Sequence, residues 1–321
     1  MAEIYSAVAL PDDSVALLRD AGADYRLFEG AGDITEDQLA AAIGDAEVLI
    51  SAVNIGVTET VIGAAPKLAL IANVGDGYSN IDLDAARARG IAVTNAPTID
   101  SVASTAEQAV ALLLAVSRRV LGGDRLMRSG DFTGWEVTGY VGGHQVYGKA
   151  LLIIGLGRIG RLVAQMLSGF SMTMYYVDPV AADADFVAEY GLTRVELDEG
   201  LGLADYVTLH CDLTDDNAGM IDARRLAQMK TSAYLVNAAR GPLVVEADLV
   251  AALQAGTIAG AALDTYQHEP SISAALASLD NVVLTPHAGN ATVEARHEMA
   301  RDAVGNALAH LRGDQLEYVV T

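Results

Sequence analysis

Three observations predict an α/β protein built on parallel sheets and divided into two domains. Short β-like runs alternate with amphipathic stretches from the N-terminus onward. A second alternating series begins near Leu151, after a long apolar helical stretch. The 321 residues exceed the roughly 100–200 that one domain usually takes.

The elements follow in order. Tyr5 to Leu10 is the first β-like run, and the segment Asp13 to Ala21 has helical character. Val48 to Ala52 and Leu68 to Val74 continue the series. The run Ile91 to Thr94 ends at Asn95-Ala96-Pro97, where proline halts regular structure, and the crossing to the second domain is expected there. Ala106 to Val120 is apolar around nearly its whole helical circumference, which predicts a buried helix. It lies either under its own domain or, in the preferred reading, between subunits, with Gly122 to Trp135 as an arm reaching outward. The second series comprises Leu151 to Ile154, Met174 to Val177, Tyr206 to Leu209, Tyr234 to Val236, Ile258 to Leu263 and Val282 to Leu284. The last helix, Thr292 to Arg312, is expected to return to the first domain, because chain ends commonly lie close together. The expected division is 1–100 with 290–321 against 101–289.

Hydrophobic residues make up 52% of the chain and charged residues 19%, enough apolar material for globular cores. The formal net charge of −22 repels phosphates and anionic headgroups, so no nucleic-acid partner is expected. Lysine occurs only at Lys67, Lys149 and Lys230. Cys211 is the single cysteine, which excludes an internal disulfide and makes the cytoplasm the expected compartment. The start, Met-Ala-Glu-Ile-Tyr, lacks an export signal, and no apolar run is expected to reach membrane-spanning length.

Leu151-Leu152-Ile153-Ile154 runs into Gly155-Leu156-Gly157-Arg158-Ile159-Gly160, and Leu162, Val163, Met166 and Leu167 then share one helical face. Strand, glycine turn and helix thus occur in the order that binds a dinucleotide. Gly155 permits the tight turn, Gly157 lets main-chain amides approach a pyrophosphate, and Gly160 lets helix pack on strand. Asp178 ends the next strand, 18 residues past Gly160, where an acid accepts hydrogen bonds from the adenosine ribose hydroxyls. The same acid repels a 2′-phosphate, and Pro179 to Phe186 holds no arginine or lysine to receive one. NAD is therefore the expected cofactor.

Downstream lie Asn237-Ala238-Ala239-Arg240-Gly241, Tyr266-Gln267-His268-Glu269-Pro270 and Thr285-Pro286-His287-Ala288-Gly289-Asn290. Each places a chargeable side chain just after a β-like run, where open α/β sheets build their sites. Together with the glycine turn they resemble the D-2-hydroxyacid dehydrogenase family. The resemblance extends to Asn73 through Asp82, Met229-Lys230 and Gly260 through Asp264, nearly the whole chain. It implies two Rossmann-like domains, a flavodoxin-like substrate domain and an NAD-binding domain, with a cleft between them, and a homodimer.

By that resemblance Arg240 clamps the substrate, His287 is the acid/base and Glu269 its partner. A planar guanidinium can hydrogen-bond both the carboxylate and the ketone of a 2-oxo acid, which an ammonium cannot. Reduction at C2 needs a proton on the carbonyl oxygen, and imidazole titrates nearest neutrality. Glu269 would orient the ring and favour its protonated form. The resemblance also gives the amides of Asp76 and Gly77 to the substrate carboxylate. It assigns cofactor contacts to Thr105, Arg158, Ile159, Asp178, Asp212, Asn217, Ala238 and Asp264, the last toward the nicotinamide carboxamide. Two positions depart from the family pattern: Asp212 stands where proline is common, and Asp76 where the residue is usually small or aliphatic.

Taken singly, Arg240 reads as a turn residue, Glu269-Pro270 as a loop and His287 as a satisfied histidine. In this order behind a dinucleotide turn they read as one site. His144, His297 and His310 are weaker candidates, and Arg301 stands where a zinc helix would need a second histidine after His297-Glu298. The expected activity is hydride transfer between nicotinamide and C2 of a small 2-hydroxy or 2-oxo acid, of the hydroxypyruvate or glyoxylate reductase type. A phosphoglycerate dehydrogenase and a non-catalytic, NAD-sensing, corepressor-like protein are the alternatives.

Overall fold

The computed structural model describes residues 3–30, 32–140 and 142–321; the first two residues of the N-terminal segment read above lie outside that range. The chain forms two compact units, Met1–Val102 with Ala291–Thr321, and Ala103–Asn290.

The first unit runs β1 (Glu3–Ser6), α1 (Asp12–Asp20), β2 (Asp24–Leu27), α2 (Glu36–Ile43), β3 (Val48–Ala52), α3 (Glu59–Ala64), β4 (Leu70–Val74), α4 (Leu83–Ala88) and β5 (Ala92–Thr94). Among the described residues these strands form one parallel sheet in the order β2-β1-β3-β4-β5, the flavodoxin-like winding. Both central strands, β3 and β4, are buried along their whole length. This explains why Val48 to Ala52 and Leu68 to Val74 read as continuous apolar runs: helices cover both faces of a parallel sheet. On one face Leu39, Ile43, Val61 and Ile62 pack against Tyr5, Leu49, Ile71 and Val93. A capping box starts α2, with Thr35 Oγ1 accepting from the Gln38 amide and Gln38 Oε1 from the Thr35 amide.

The second unit contains most of α5 (Ile99–Ser117), then α6 (Val120–Ser129), β6 (Ala150–Ile154), α7 (Arg158–Leu167), β7 (Thr173–Val177), α8 (Ala184–Tyr190) and β8 (Leu192–Arg194). It continues with α9 (Leu197–Leu203), β9 (Tyr206–Leu209), α10 (Ala223–Leu226), β10 (Tyr234–Asn237), α11 (Glu246–Ala255), β11 (Gly260–Leu263), α12 (Ala274–Ala277) and β12 (Val282–Leu284). Its parallel sheet has the order β12-β11-β10-β9-β6-β7-β8. Counted from β6, the winding reverses between the first strand and the fourth, and the C-terminal strand ends at such a switch point are where doubly wound sheets bind ligands. The last helix, α13 (Val293–Arg312), belongs to the first unit. Met299, Ala300, Ala303, Val304 and Ala307 pack there against Ile4, Val48, Ile50, Leu70 and Ala72.

One expectation about α5 needs correction. It is 19 residues long with an 18-residue stretch of mean hydropathy 1.4, so among the described residues one helix is long and apolar enough to cross a membrane by length and composition alone. The apolar face instead enters the core of its own unit: Ala106, Ala109, Leu112, Leu113 and Val116 cluster with Leu151, Ile153, Val163 and Tyr234. A helix over a parallel sheet needs no subunit partner to bury such a face. The outward feature is the segment after it, where Trp135 is 85% and Val137 80% exposed.

Candidate active site

The first glycine of the turn, Gly155, has φ +93°, a region that costs an L side chain steric strain. A Cβ there would also lie 2.5 Å from the Cys211 amide nitrogen, at the end of β9. Gly160 packs more tightly still, since its Cβ would fall 2.1 Å from the Gly155 carbonyl oxygen. Around Gly157, by contrast, nothing lies within 4 Å of a built Cβ, and no side chain caps α7 there. A closed turn at Gly155 and Gly160 and an open one at Gly157 leave room at the N-terminus of α7, where main-chain amides can meet an anion. Arg158 is exposed at the start of α7, and Ile159 packs on the sheet.

Asp178 closes the far side of the turn. Its Oδ2 accepts from the Leu156 amide at 2.8 Å and its Oδ1 from the Val180 amide at 2.9 Å. Both oxygens keep a lone pair for a further donor. Asp212 is exposed, and its carbonyl accepts from Asn217 Nδ2 at 2.7 Å, so these two residues shape one turn after β9. Burial pushes the neighbouring Cys211 thiol up to about 11, which keeps it protonated and unreactive at neutral pH.

The segments after β10, β11 and β12 meet around a carboxylate–imidazole pair. Glu269 Oε2 lies 2.8 Å from His287 Nδ1, and Glu269 Oε1 accepts from the Tyr266 amide at 2.9 Å. Burial works against ionisation of Glu269. The bonds from His287 and Tyr266, with the charge of Arg240, outweigh it and hold the carboxyl below its ordinary value. An ionised carboxylate only accepts, so Nδ1 carries the hydrogen and Nε2 is left to exchange a proton. His287 itself sits at φ +53°, an uncommon conformation for a residue other than glycine.

Asp264 holds that conformation in place. It is 1% exposed, and its carboxylate accepts from the Thr285 hydroxyl, the Ala288 amide at 2.8 Å and the Gly289 amide at 2.7 Å. Three donors on one buried acid brace the loop on both sides of His287. Gln108 Nε2 donates to Thr285 Oγ1 at 3.1 Å, and Ser104 Oγ to the Gly289 carbonyl at 2.8 Å. Thr105 lies beside Gly289, so the start of α5 joins the cluster. The Tyr266 hydroxyl donates to the Thr285 carbonyl at 2.8 Å, linking the Glu269 loop to the His287 loop.

Arg240 follows β10 beyond buried Ala238. Its Nη1 donates to the Ala239 carbonyl at 2.7 Å, and Asn237 Nδ2 donates to the Arg240 carbonyl at 3.0 Å. A Cβ on Gly241 would lie 1.8 Å from the Tyr266 carbonyl oxygen, so glycine is what lets the Arg240 and Glu269 loops touch. Gly241→Ala is expected to destabilise the second unit by about 3 kcal/mol, the upper end for overpacking. An unchanged denaturation midpoint would contradict this close approach.

The sequence gives no roles to Tyr266, Thr285, Gln108 or Ser104, although the first two stand in the motifs quoted. Uncharged groups that act by bracing a neighbour leave no spacing signal. Two of the weaker histidine candidates have structural partners: His144 Nδ1 meets the Tyr234 hydroxyl at 3.0 Å, and His297 Nδ1 meets Asp13 at 3.1 Å. In the first unit, Asp76 and Gly77 follow β4. Their carbonyls accept from Asn95 Nδ2 at 2.7 Å and Asn73 Nδ2 at 2.8 Å, which fixes the loop through its carbonyl side.

Comparison with known proteins identifies the family. Residues 110–289 match the family model described as D-isomer specific 2-hydroxyacid dehydrogenase, NAD binding domain. A Staphylococcus saprophyticus protein assigned by name to the 2-hydroxyacid dehydrogenases is 41% identical over 320 residues, covering 100% of both chains. The crystal structure of the TT0316 protein of Thermus thermophilus superposes with a TM-score of 0.93 at 34% identity, over 99% of this chain and 100% of that one. An NADPH-dependent glyoxylate/hydroxypyruvate reductase from Sinorhizobium meliloti, crystallised with citrate, gives a TM-score of 0.84 at 27% identity, over 100% and 98%.

Proposed function

Because the chain belongs to the D-isomer specific 2-hydroxyacid dehydrogenases, oxidoreductases acting on CH–OH donors, we propose that it reduces a small 2-oxo acid of the glyoxylate or hydroxypyruvate type with NADH. The carrying observation is the Glu269–His287 pair, 2.8 Å apart, with Arg240 acting on the same carboxylate. The cradle at Gly155, Gly157 and Gly160 would hold the pyrophosphate and Asp178 the ribose, and the nicotinamide supplies a hydride when bound. Arg240 engages the substrate carboxylate and ketone, which aligns C2 and polarises the carbonyl. His287 gives the Nε2 proton to the carbonyl oxygen, and Glu269 keeps the ring oriented through Nδ1–H. In oxidation the same nitrogen takes the hydroxyl proton. The Asp76–Gly77 segment of the first unit is assigned to the substrate carboxylate.

The test is NADH oxidation with glyoxylate, hydroxypyruvate, pyruvate, oxaloacetate and phosphohydroxypyruvate. Saturable turnover of a monoanionic 2-oxo acid is expected. Tight NADH binding with no turnover of any of them would instead identify an NAD-sensing binding protein. A clear preference for the phosphorylated acid would favour a phosphoglycerate dehydrogenase.

NADH is expected to be favoured over NADPH, since Asp178 accepts hydroxyls and repels a phosphate. Asp178→Ala should narrow the ratio of kcat/KM values; equal values in the unaltered enzyme would refute the assignment. A cytoplasmic homodimer completes the proposal. The exposed apolar residues after α5, Trp135 and Val137 foremost, support an interface there, and light scattering at the monomer mass would remove it.

A further inference from the structure

We infer that Arg194 forms a phosphate-accepting subsite beside Asp178, so that the dinucleotide site takes NADPH as well as NADH. The inference deepens the cofactor reading above and rests on it. The linear sequence offers no cation from Pro179 to Phe186, but the sheet brings one from the neighbouring strand. Parallel pairing of β7 with β8 sets Arg194 opposite Tyr176, two residues short of Asp178. From there its Nη2 donates to the Asp178 carbonyl at 2.7 Å and the Pro179 carbonyl at 2.9 Å.

Those two bonds anchor one nitrogen and leave the rest of the guanidinium to other partners. Arg194 is exposed, and among the described residues no carboxylate and no other acceptor meets Nε or Nη1. In a chain with 42 acidic and 20 basic residues, a guanidinium with no acid partner beside the ribose-binding aspartate has its charge uncompensated. Its planar fork matches phosphate geometry. Arg161 adds a second positive charge at the same turn, its Nε donating to the Leu156 carbonyl and its guanidinium 4.8 Å from the centre of the Phe186 ring. Asp178, for its part, is bound by the Leu156 and Val180 amides, which partly offset its charge. The acid thus sets the preference for NADH, and the arginine keeps the phosphorylated cofactor admissible.

The test is equilibrium binding by calorimetry of NADH, NADPH, 5′-AMP and 2′,5′-ADP to the unaltered protein, Arg194→Gln and Arg194→Lys. Glutamine can still donate to a main-chain carbonyl but carries no charge. We expect Arg194→Gln to weaken NADPH and 2′,5′-ADP about ten- to a hundredfold, the range for one charge-assisted hydrogen bond. NADH and 5′-AMP should change less than about twofold, and lysine should restore part of the loss. Raising the salt concentration should weaken the phosphorylated pair selectively. Equal weakening of all four ligands would reduce Arg194 to a support for the loop, and unchanged NADPH affinity would overturn the subsite. NADH binding without any NADPH binding by the unaltered protein overturns this inference alone. Binding of neither overturns the cofactor reading with it.

Discussion

His287→Asn is expected to lower kcat/KM for 2-oxo-acid reduction by about 10²–10⁴-fold, the usual worth of a positioned general acid, with little change in NADH affinity. Asparagine suits the test because His287 sits at φ +53°, where asparagine is among the best tolerated side chains. Loss of the imidazole is therefore separated from loss of the loop. The Asp264 carboxylate still accepts from the Ala288 and Gly289 amides, so the flanking backbone keeps its brace. A fall of less than about tenfold would remove His287 from the chemistry. The pair also fixes an acid limit. Glu269 is held below its ordinary value by His287 and the Tyr266 amide despite the opposing effect of burial. A depressed acid contributes its bond at pH above the ordinary carboxyl range and loses it only as pH falls through the lowered value. The acid limb from Glu269 should thus lie below the usual glutamate range and disappear in Glu269→Gln.

Arg240→Lys should cost about a hundredfold in kcat/KM while leaving NADH binding nearly intact. The positive charge survives, but the two-pronged donor does not, and each hydrogen bond to a charged group contributes about 1.5–3 kcal/mol. The guanidinium is already oriented by the bond from Nη1 to the Ala239 carbonyl at 2.7 Å, so its remaining donors are presented in a fixed plane. An ammonium at this position must choose between that carbonyl and the substrate. Near-native turnover in Arg240→Lys would sink the clamp. A parallel loss of NADH affinity would place Arg240 at the cofactor instead.

The glycine turn and the two sheets are legible in the sequence because each is written locally. Gly155, Gly157 and Gly160 sit between a β-like run and a helical face, and unbroken apolar runs such as Val48 to Ala52 mark strands covered on both sides. Arg194 is illegible, because its place beside Asp178 depends on which strands are neighbours and not on spacing. Thr285, Gln108 and Tyr266 escape for a related reason: they act through other side chains, and only the packed loops bring them to Asp264 and Glu269. The partner of α5 is only half legible, because an apolar circumference gives no direction. The same pattern serves a helix laid on its own sheet and one shared between subunits.

The first unit is discontinuous, interrupted by the second between Val102 and Ala291, and this orders its synthesis. As the ribosome extends the chain, the strands of the first sheet emerge early but lack the cover of α13, whose residues Met299 to Ala307 face Ile4, Ile50 and Leu70. The second unit is contiguous and holds all its core residues before the last segment is translated. It can therefore close co-translationally while one face of the first sheet has only α1, through Leu18, to cover it. A nascent chain arrested before Val293 lacks α13, and emergence of that helix is the step that completes the cover of the first sheet.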